Sequence, residues 1–262
     1  LAGLTYGLEF TKRIMRKRVE NKVALVTGGS RGMGAGIARR FATEGLEVAF
    51  THSGTNPERA EETMDAIIQQ GKRGLALTAD NASPSAVTEA VAQTLEQFGR
   101  IDVLVNNAGI YLDKPLAEYS LEEFDLLIAV NIRAVFLAIQ AAAKHMQSGG
   151  RIITIGSNMA DRVASPNGTL YAMSKSALIG LNKGVARELG PRGITANLVQ
   201  PGPVDTDMNP ASGAHTSILT GFMALPHYGS VDDVAGLVAY LASEESRFIT
   251  GAAITIDGGF NI

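Results

Sequence analysis

"VALVTGGSRGMG", residues 23–34, decides how the rest of the chain is read. A short apolar run enters a turn carrying Gly28, Gly32 and Gly34, with Arg31 inside it. Such a run reads as a strand buried on both faces, and the amphipathic stretch after it as a helix. Outward from this point the alternation repeats. Strands are expected at 23–27, 47–51, 74–78, 103–106, 151–155, 195–199 and 253–256. Helical patterns fill 34–44, 57–70, 83–97, 121–146, 169–189 and 231–242. Buried strands separated by helices mean a parallel sheet covered on both faces. The expected architecture is therefore α/β, one doubly wound domain over residues 22–262 with a seven-stranded parallel sheet. In such folds ligands gather at the carboxyl ends of the strands, so the loops there carry the argument.

Composition agrees with a large core, since 45% of the 262 residues are hydrophobic and only 19% charged. A net charge of −3 argues against nucleic acid or an anionic membrane as partner. The absence of cysteine excludes disulfides, thiolate metal sites and cysteine nucleophiles, and no metal is expected. The most apolar run, 134–143, falls short of the roughly 18 residues of a membrane span and reads as core helix. Residues 1–21 form an N-terminal extension with its basic cluster after its apolar part, the reverse of a secretory signal. Residues 1–14 are expected to be foreign to the natural chain, with Met15 as its start, and the expected compartment is the cytoplasm.

The glycine turn suits a phosphate. Side chains would block its approach to the backbone, and a helix N-terminus offers free N–H groups and a positive dipole end. A tight strand-to-helix turn without a ligand is the alternative. The second strand then bears on the choice of nucleotide. An NAD site usually has an acid about 20 residues on, bonded to the ribose 2′-OH. Here the strand ends in Thr51, His52 and Ser53. Arg31 and Ser53 instead suit the extra phosphate of NADP.

"YAMSK" sets Tyr171 and Lys175 four apart, on one face of a helix. A phenol with a pKa near 10 becomes a useful acid–base group if an ammonium stabilises its phenolate. Alone, that pair could arise by chance. Its company matters: Ser157 ends the strand "RIITIGS", where a hydroxyl can donate to a developing oxyanion. "NNAG" at 106–109 ends another strand with small residues, and Asn131 stands in an apolar helical run, where its amide must be satisfied by backbone or by water.

Taken in order, "TGGSRGMG", Asp80, "NNAG", Asn131, Ser157, "YAMSK" and "PGPVDT" resemble the short-chain dehydrogenase/reductase family, from about Lys22 to the C-terminus. The resemblance implies a single Rossmann-type domain that reduces a carbonyl with NADPH. In it Tyr171 would be the general acid, Lys175 its partner and a ribose ligand, Ser157 the holder of the carbonyl, and Asn131 the keeper of a water. Gly28, Ser30, Arg31, Met33, Gly34 and Ser53 would face the phosphates. Asp80 and Asn81 would face the adenine, Asn107, Ala108 and Gly109 the ribose region, and Pro201, Gly202, Val204 and Thr206 the nicotinamide. A homotetramer is also implied.

Within the family the chain resembles 3-oxoacyl-carrier-protein reductases and related carbonyl reductases. However, Ser148, Gly149 and Gly150 stand where basic residues would dock an acidic carrier, so a small carbonyl compound is the preferred substrate. Residues 207–227 are expected to form a lid, with Phe222, Met223, Leu225 and Tyr228 making the pocket apolar. "SNMADR" and "QPGPVDTDMNPASG" also resemble a biofilm-dispersal member described as binding cyclic di-GMP. That resemblance leaves a nucleotide-binding protein as the second reading.

Overall fold

The computed structural model describes residues 22–262, so the expected extension, 1–21, lies outside the described residues. The parallel sheet has strand order β3-β2-β1-β4-β5-β6-β7. Its strands are β1 Val23–Val26, β2 Glu47–His52, β3 Gly74–Thr78, β4 Val103–Asn106, β5 Arg151–Ile155, β6 Thr195–Pro201 and β7 Ala253–Ile256. The order reverses between β1 and β4, and it is there that a doubly wound sheet opens a crevice. The main helices are α1 Gly32–Glu44, α2 Pro57–Gln69, α3 Pro84–Phe98, α4 Leu121–Ile128, α5 Ala134–Ala143, α6 Thr169–Leu189, α7 Thr216–Thr220 and α8 Val231–Ala242.

Each face of the sheet has its own core. On one, Ile37, Ala38 and Phe41 of α1 meet Val234, Val238 and Leu241 of α8 over Val26, Val48 and Val105. On the other, Val87, Val135, Ala138, Ile139 and Leu178 cover Leu25, Leu104 and Ile152. The central strands β1, β4 and β5 are buried along their whole length because both faces are covered.

The helical pattern expected over 121–146 divides. α4 begins on a capping box, with Ser120 accepting from the Glu123 N–H and Glu123 accepting from that of Ser120. A π-helical turn, Ala129–Arg133, then joins it to α5. The joined helix, Leu121–Ala143, is 23 residues long, and its most apolar 18-residue stretch has a mean hydropathy of 2.0, so it extends well beyond the ten-residue run singled out in the sequence. By length and composition it could cross a membrane, but 56% of its most apolar window is buried inside the fold.

At Gly28 and Gly34 the first βα turn has no room for a side chain. A Cβ on Gly34 would lie 2.1 Å from the Gly28 carbonyl oxygen and 2.5 Å from Asn107 Nδ2. Gly28 has φ +65°, and a Cβ there would sit 3.0 Å from Ala108 Cα. Overpacking of this kind costs about 1–3 kcal/mol. Gly34→Ala is accordingly expected to destabilise the fold by about 2 kcal/mol, read as a lowered midpoint in urea unfolding.

Candidate active site

Thr27 and Asn107 hold the two sides of the crevice together. The Thr27 hydroxyl accepts from the N–H groups of Asn107 and Ala108, at 3.0 and 3.1 Å. Asn107 Nδ2 donates to the carbonyls of Thr27 and Gly28, at 2.9 and 3.1 Å. From β2, Thr51 accepts from the Gly28 N–H through its hydroxyl and from the Gly29 N–H through its carbonyl. α1 starts on Arg31 with no side-chain cap and no acid in its first turn, leaving its N–H groups to whatever occupies the crevice.

One continuous cleft results. Gly28, Ser30, Arg31, Met33, Gly34 and Ser53 line one part of it, together with Gly32. Asp80, Asn81, Asn107, Ala108 and Gly109 continue the lining, and Tyr171 and Lys175 stand at the far end. These predicted residues are brought together. Of "PGPVDT", Thr206 reaches the cleft, but Pro201, Gly202 and Val204 are absent from its lining. Pro201 completes β6, Gly202 packs against Asp257, and Val204 lies in the core, 5% exposed.

The segment 207–227 contains only the five-residue α7, and its contributions to the cleft are Asp207 and Met208. Phe222 stacks at 60° on Phe260, under the Arg162 guanidinium. Met223 is buried beside Gly258, the Leu225 N–H donates to the Gly258 carbonyl, and the Tyr228 hydroxyl donates to Asn209. Phe222, Met223, Leu225 and Tyr228 thus bind the segment to the C-terminus and to itself rather than lining the cleft.

At the closed end, α6 presents Tyr171 and Lys175 toward the end of β5. The Ser157 hydroxyl bonds the Tyr171 phenol and accepts from the Met159 N–H at 3.1 Å. Lys175 Nζ donates to the Ile155 carbonyl at 2.9 Å and lies 5.6 Å from the Tyr171 ring centroid. Tyr111 packs edge-on against Tyr171, ring centroids 5.0 Å apart. Asn131 is fully buried in the π turn. Its Oδ1 accepts from the Ile110 N–H, and its Nδ2 donates to the Ile110 carbonyl and to Ser174 Oγ. Backbone and Ser174 satisfy this amide, so its side chain holds Ile110 in place at the cleft wall.

The electrostatics differ from expectation. Burial pushes the Tyr171 phenol up to about 12, and the Ser157 bond only partly opposes it. The sequence reading expected Lys175 to pull this value down. Instead burial lowers Lys175 itself, to about 8, because a dry site penalises either charge. Tyr171 is consequently held in its protonated form, the form an acid requires.

Arg59, on α2, was not singled out in the sequence. It shares a recess at the end of β2 with Arg31, Ser30, His52 and Ser53. Its signal was its place in the helix that immediately follows β2. Thr27, Thr51 and Tyr111 were also missed, because hydroxyls and rings carry no motif of their own.

The donor set suits a nucleotide with an extra phosphate. Arg31, Arg59 and Ser53 offer cations and a hydroxyl, β2 ends without an acid, and the Gly28–Gly34 turn leaves its backbone bare.

Residues 28–261 match the family described as enoyl-(acyl-carrier-protein) reductase. The chain belongs to the short-chain dehydrogenases/reductases and is an oxidoreductase acting on CH–OH or C=O groups. It is similar to the cyclic-di-GMP-binding biofilm dispersal mediator protein of Escherichia coli, 44% identical over 91% of this chain and 97% of that protein. A 3-oxoacyl-[acyl-carrier-protein] reductase of Staphylococcus aureus is 39% identical over 91% of this chain and 97% of its own length. The crystal structure of a short-chain dehydrogenase from Burkholderia cenocepacia in complex with NADP superposes with a TM-score of 0.92. It is 51% identical, covering 94% of this chain and 100% of that one.

Lys175 carries its charge below pH 8 and sheds it above. If reduction draws on that charge, kcat/KM falls toward a tenfold loss per unit above about pH 8. A pH–rate profile checks this, and Lys175→Met is expected to remove that limb along with most of the activity.

Proposed function

We propose that the protein is a cytoplasmic NADPH-dependent reductase that converts a small ketone or 3-oxo compound to an alcohol. The observation that carries the reading is the meeting of Tyr171, Ser157 and Lys175 at one end of a cleft whose other end gathers Arg31 and Arg59. The related Burkholderia dehydrogenase was solved with NADP, which supports the choice of cofactor. NADPH, when bound, supplies the hydride.

The protein's residues do the rest. The Gly28–Gly34 turn and the N-terminus of α1 take the phosphates, and Arg31, Arg59 and Ser53 take the extra one. Asp80 and Asn81 border the adenine. Ser157 donates to the substrate carbonyl oxygen, and Tyr171 gives that oxygen its proton as charge develops there. Lys175, held by the Ile155 carbonyl, stabilises the phenolate left behind and binds the ribose. Tyr111, edge-on to Tyr171, walls the substrate side.

A small substrate is preferred over one carried by a protein. Gly149 and Gly150 bring no charge to the surface where an acidic carrier would dock. Arg192 is already committed to the Ala143 and Met146 carbonyls, both at 2.7 Å. We also propose a homotetramer. Phe124, Leu126 and Phe136 stand exposed on α4 and α5, Met173 on α6, and β7 offers an open sheet edge. Light scattering is expected to give four chains of 27.5 kDa per particle, and a monomer would exclude it.

The deciding assay is NADPH oxidation at 340 nm with a panel of ketones, β-keto esters and quinones. Turnover is expected, with Tyr171→Phe slower by about 10²- to 10⁴-fold. The identity to the Escherichia coli protein favours one second reading, cyclic di-GMP binding. Folded protein that binds NADPH without turnover, and binds cyclic di-GMP at micromolar concentration, would establish it in place of the reductase.

A further inference from the structure

Asp207 stands on the opposite side of the recess from β2, at the start of the segment 207–227. A tight turn presents it. Thr206 and Asn209 exchange backbone hydrogen bonds at 3.3 and 3.1 Å, and Asn209 also donates to the Thr206 hydroxyl. The Ala211 N–H adds a bond to Asp205. With its backbone set in this way, Asp207 directs one carboxylate oxygen, Oδ2, at both arginines of the recess. That oxygen is ion-paired with Arg59 Nη1 and lies 3.8 Å from Arg31 Nη1. All three side chains are about half exposed, where ion pairs add little stability. Fold stability is therefore a poor account of the cluster.

The chemistry of the recess gives a better one. An anion between two guanidiniums, beside the hydroxyls of Ser53 and Thr55, is the arrangement a phosphate monoester requires. We propose that Asp207 is an internal stand-in for the 2′-phosphate of the cofactor, occupying Arg31 and Arg59 until that phosphate takes them. This rests on the NADP reading above. The carboxylate opposes the 2′-phosphate in two ways. It holds the cations the phosphate needs, and it places a like charge beside it. A nucleotide without the 2′-phosphate makes no claim on these arginines and feels little of either effect. Asp207 thus sets how strongly the enzyme distinguishes the two nucleotides, and it weakens the grip on the phosphorylated one. Weaker binding of that kind suits a cofactor that must leave after each turnover.

The test is calorimetric titration of the full chain with adenosine 2′,5′-bisphosphate and with adenosine 5′-monophosphate, wild type beside Asp207→Asn. The wild type is expected to prefer the bisphosphate. In Asp207→Asn its affinity for the bisphosphate rises about five- to tenfold, while that for the monophosphate stays within twofold, and the gain shrinks at high salt. Asp207→Ser is expected to behave alike, which separates loss of charge from any effect of the new amide. Unchanged or weaker bisphosphate binding in both variants, with the wild-type preference intact, overturns the proposal and leaves the NADP reading standing. A wild type that binds both nucleotides equally overturns the NADP reading and this proposal together.

Discussion

The contact on which the site depends is the one between Asn107 and the first glycine turn. Its amide reaches from the end of β4 to the carbonyls of Thr27 and Gly28, across the point where the strand order reverses. A sheet twisting apart at its switch point would otherwise leave these carbonyls without partners. Held by Asn107, the turn lies against Ala108, and α1 starts so close that only hydrogen fits on Gly34. The bare backbone that suits a phosphate is thus a by-product of packing. Nucleotide binding and fold stability are tied at the same few atoms.

Much of this was legible in the sequence, and the reason differs by element. Strands such as β4 and β5 were bounded correctly because a run buried on both faces starts and stops abruptly at polar or glycine residues. β6 runs two residues beyond its expected end, to Pro201, because pairing with β7 extends it where hydrophobicity alone does not. The glycine turn and the Tyr171–Lys175 pair were readable because their spacing maps directly onto local geometry. Arg59 was not, since its role arises from a neighbour 148 positions away. The contact of Phe222 with Phe260 was hidden for the same reason, since it joins residues far apart in the chain.

The acid–base centre shows burial overruling proximity. Lys175 and Tyr171 are near each other, as their spacing required, but a dry surrounding disfavours ammonium and phenolate alike. The Ile155 carbonyl keeps the ammonium placed without neutralising it, so the lysine remains the group that titrates near physiological pH. The tyrosine keeps its proton until a substrate oxygen begins to acquire charge.

The π turn at Ala129–Arg133 sets the rotational register of everything that follows it. Such a turn holds one residue more than an α-helix of the same rise. Removing a residue there would straighten the helix and turn everything beyond it by about 100°. Asn131 would swing away from Ile110, and the face α5 gives to the sheet would move with it. One residue of helix length therefore keeps both the core and the cleft in register.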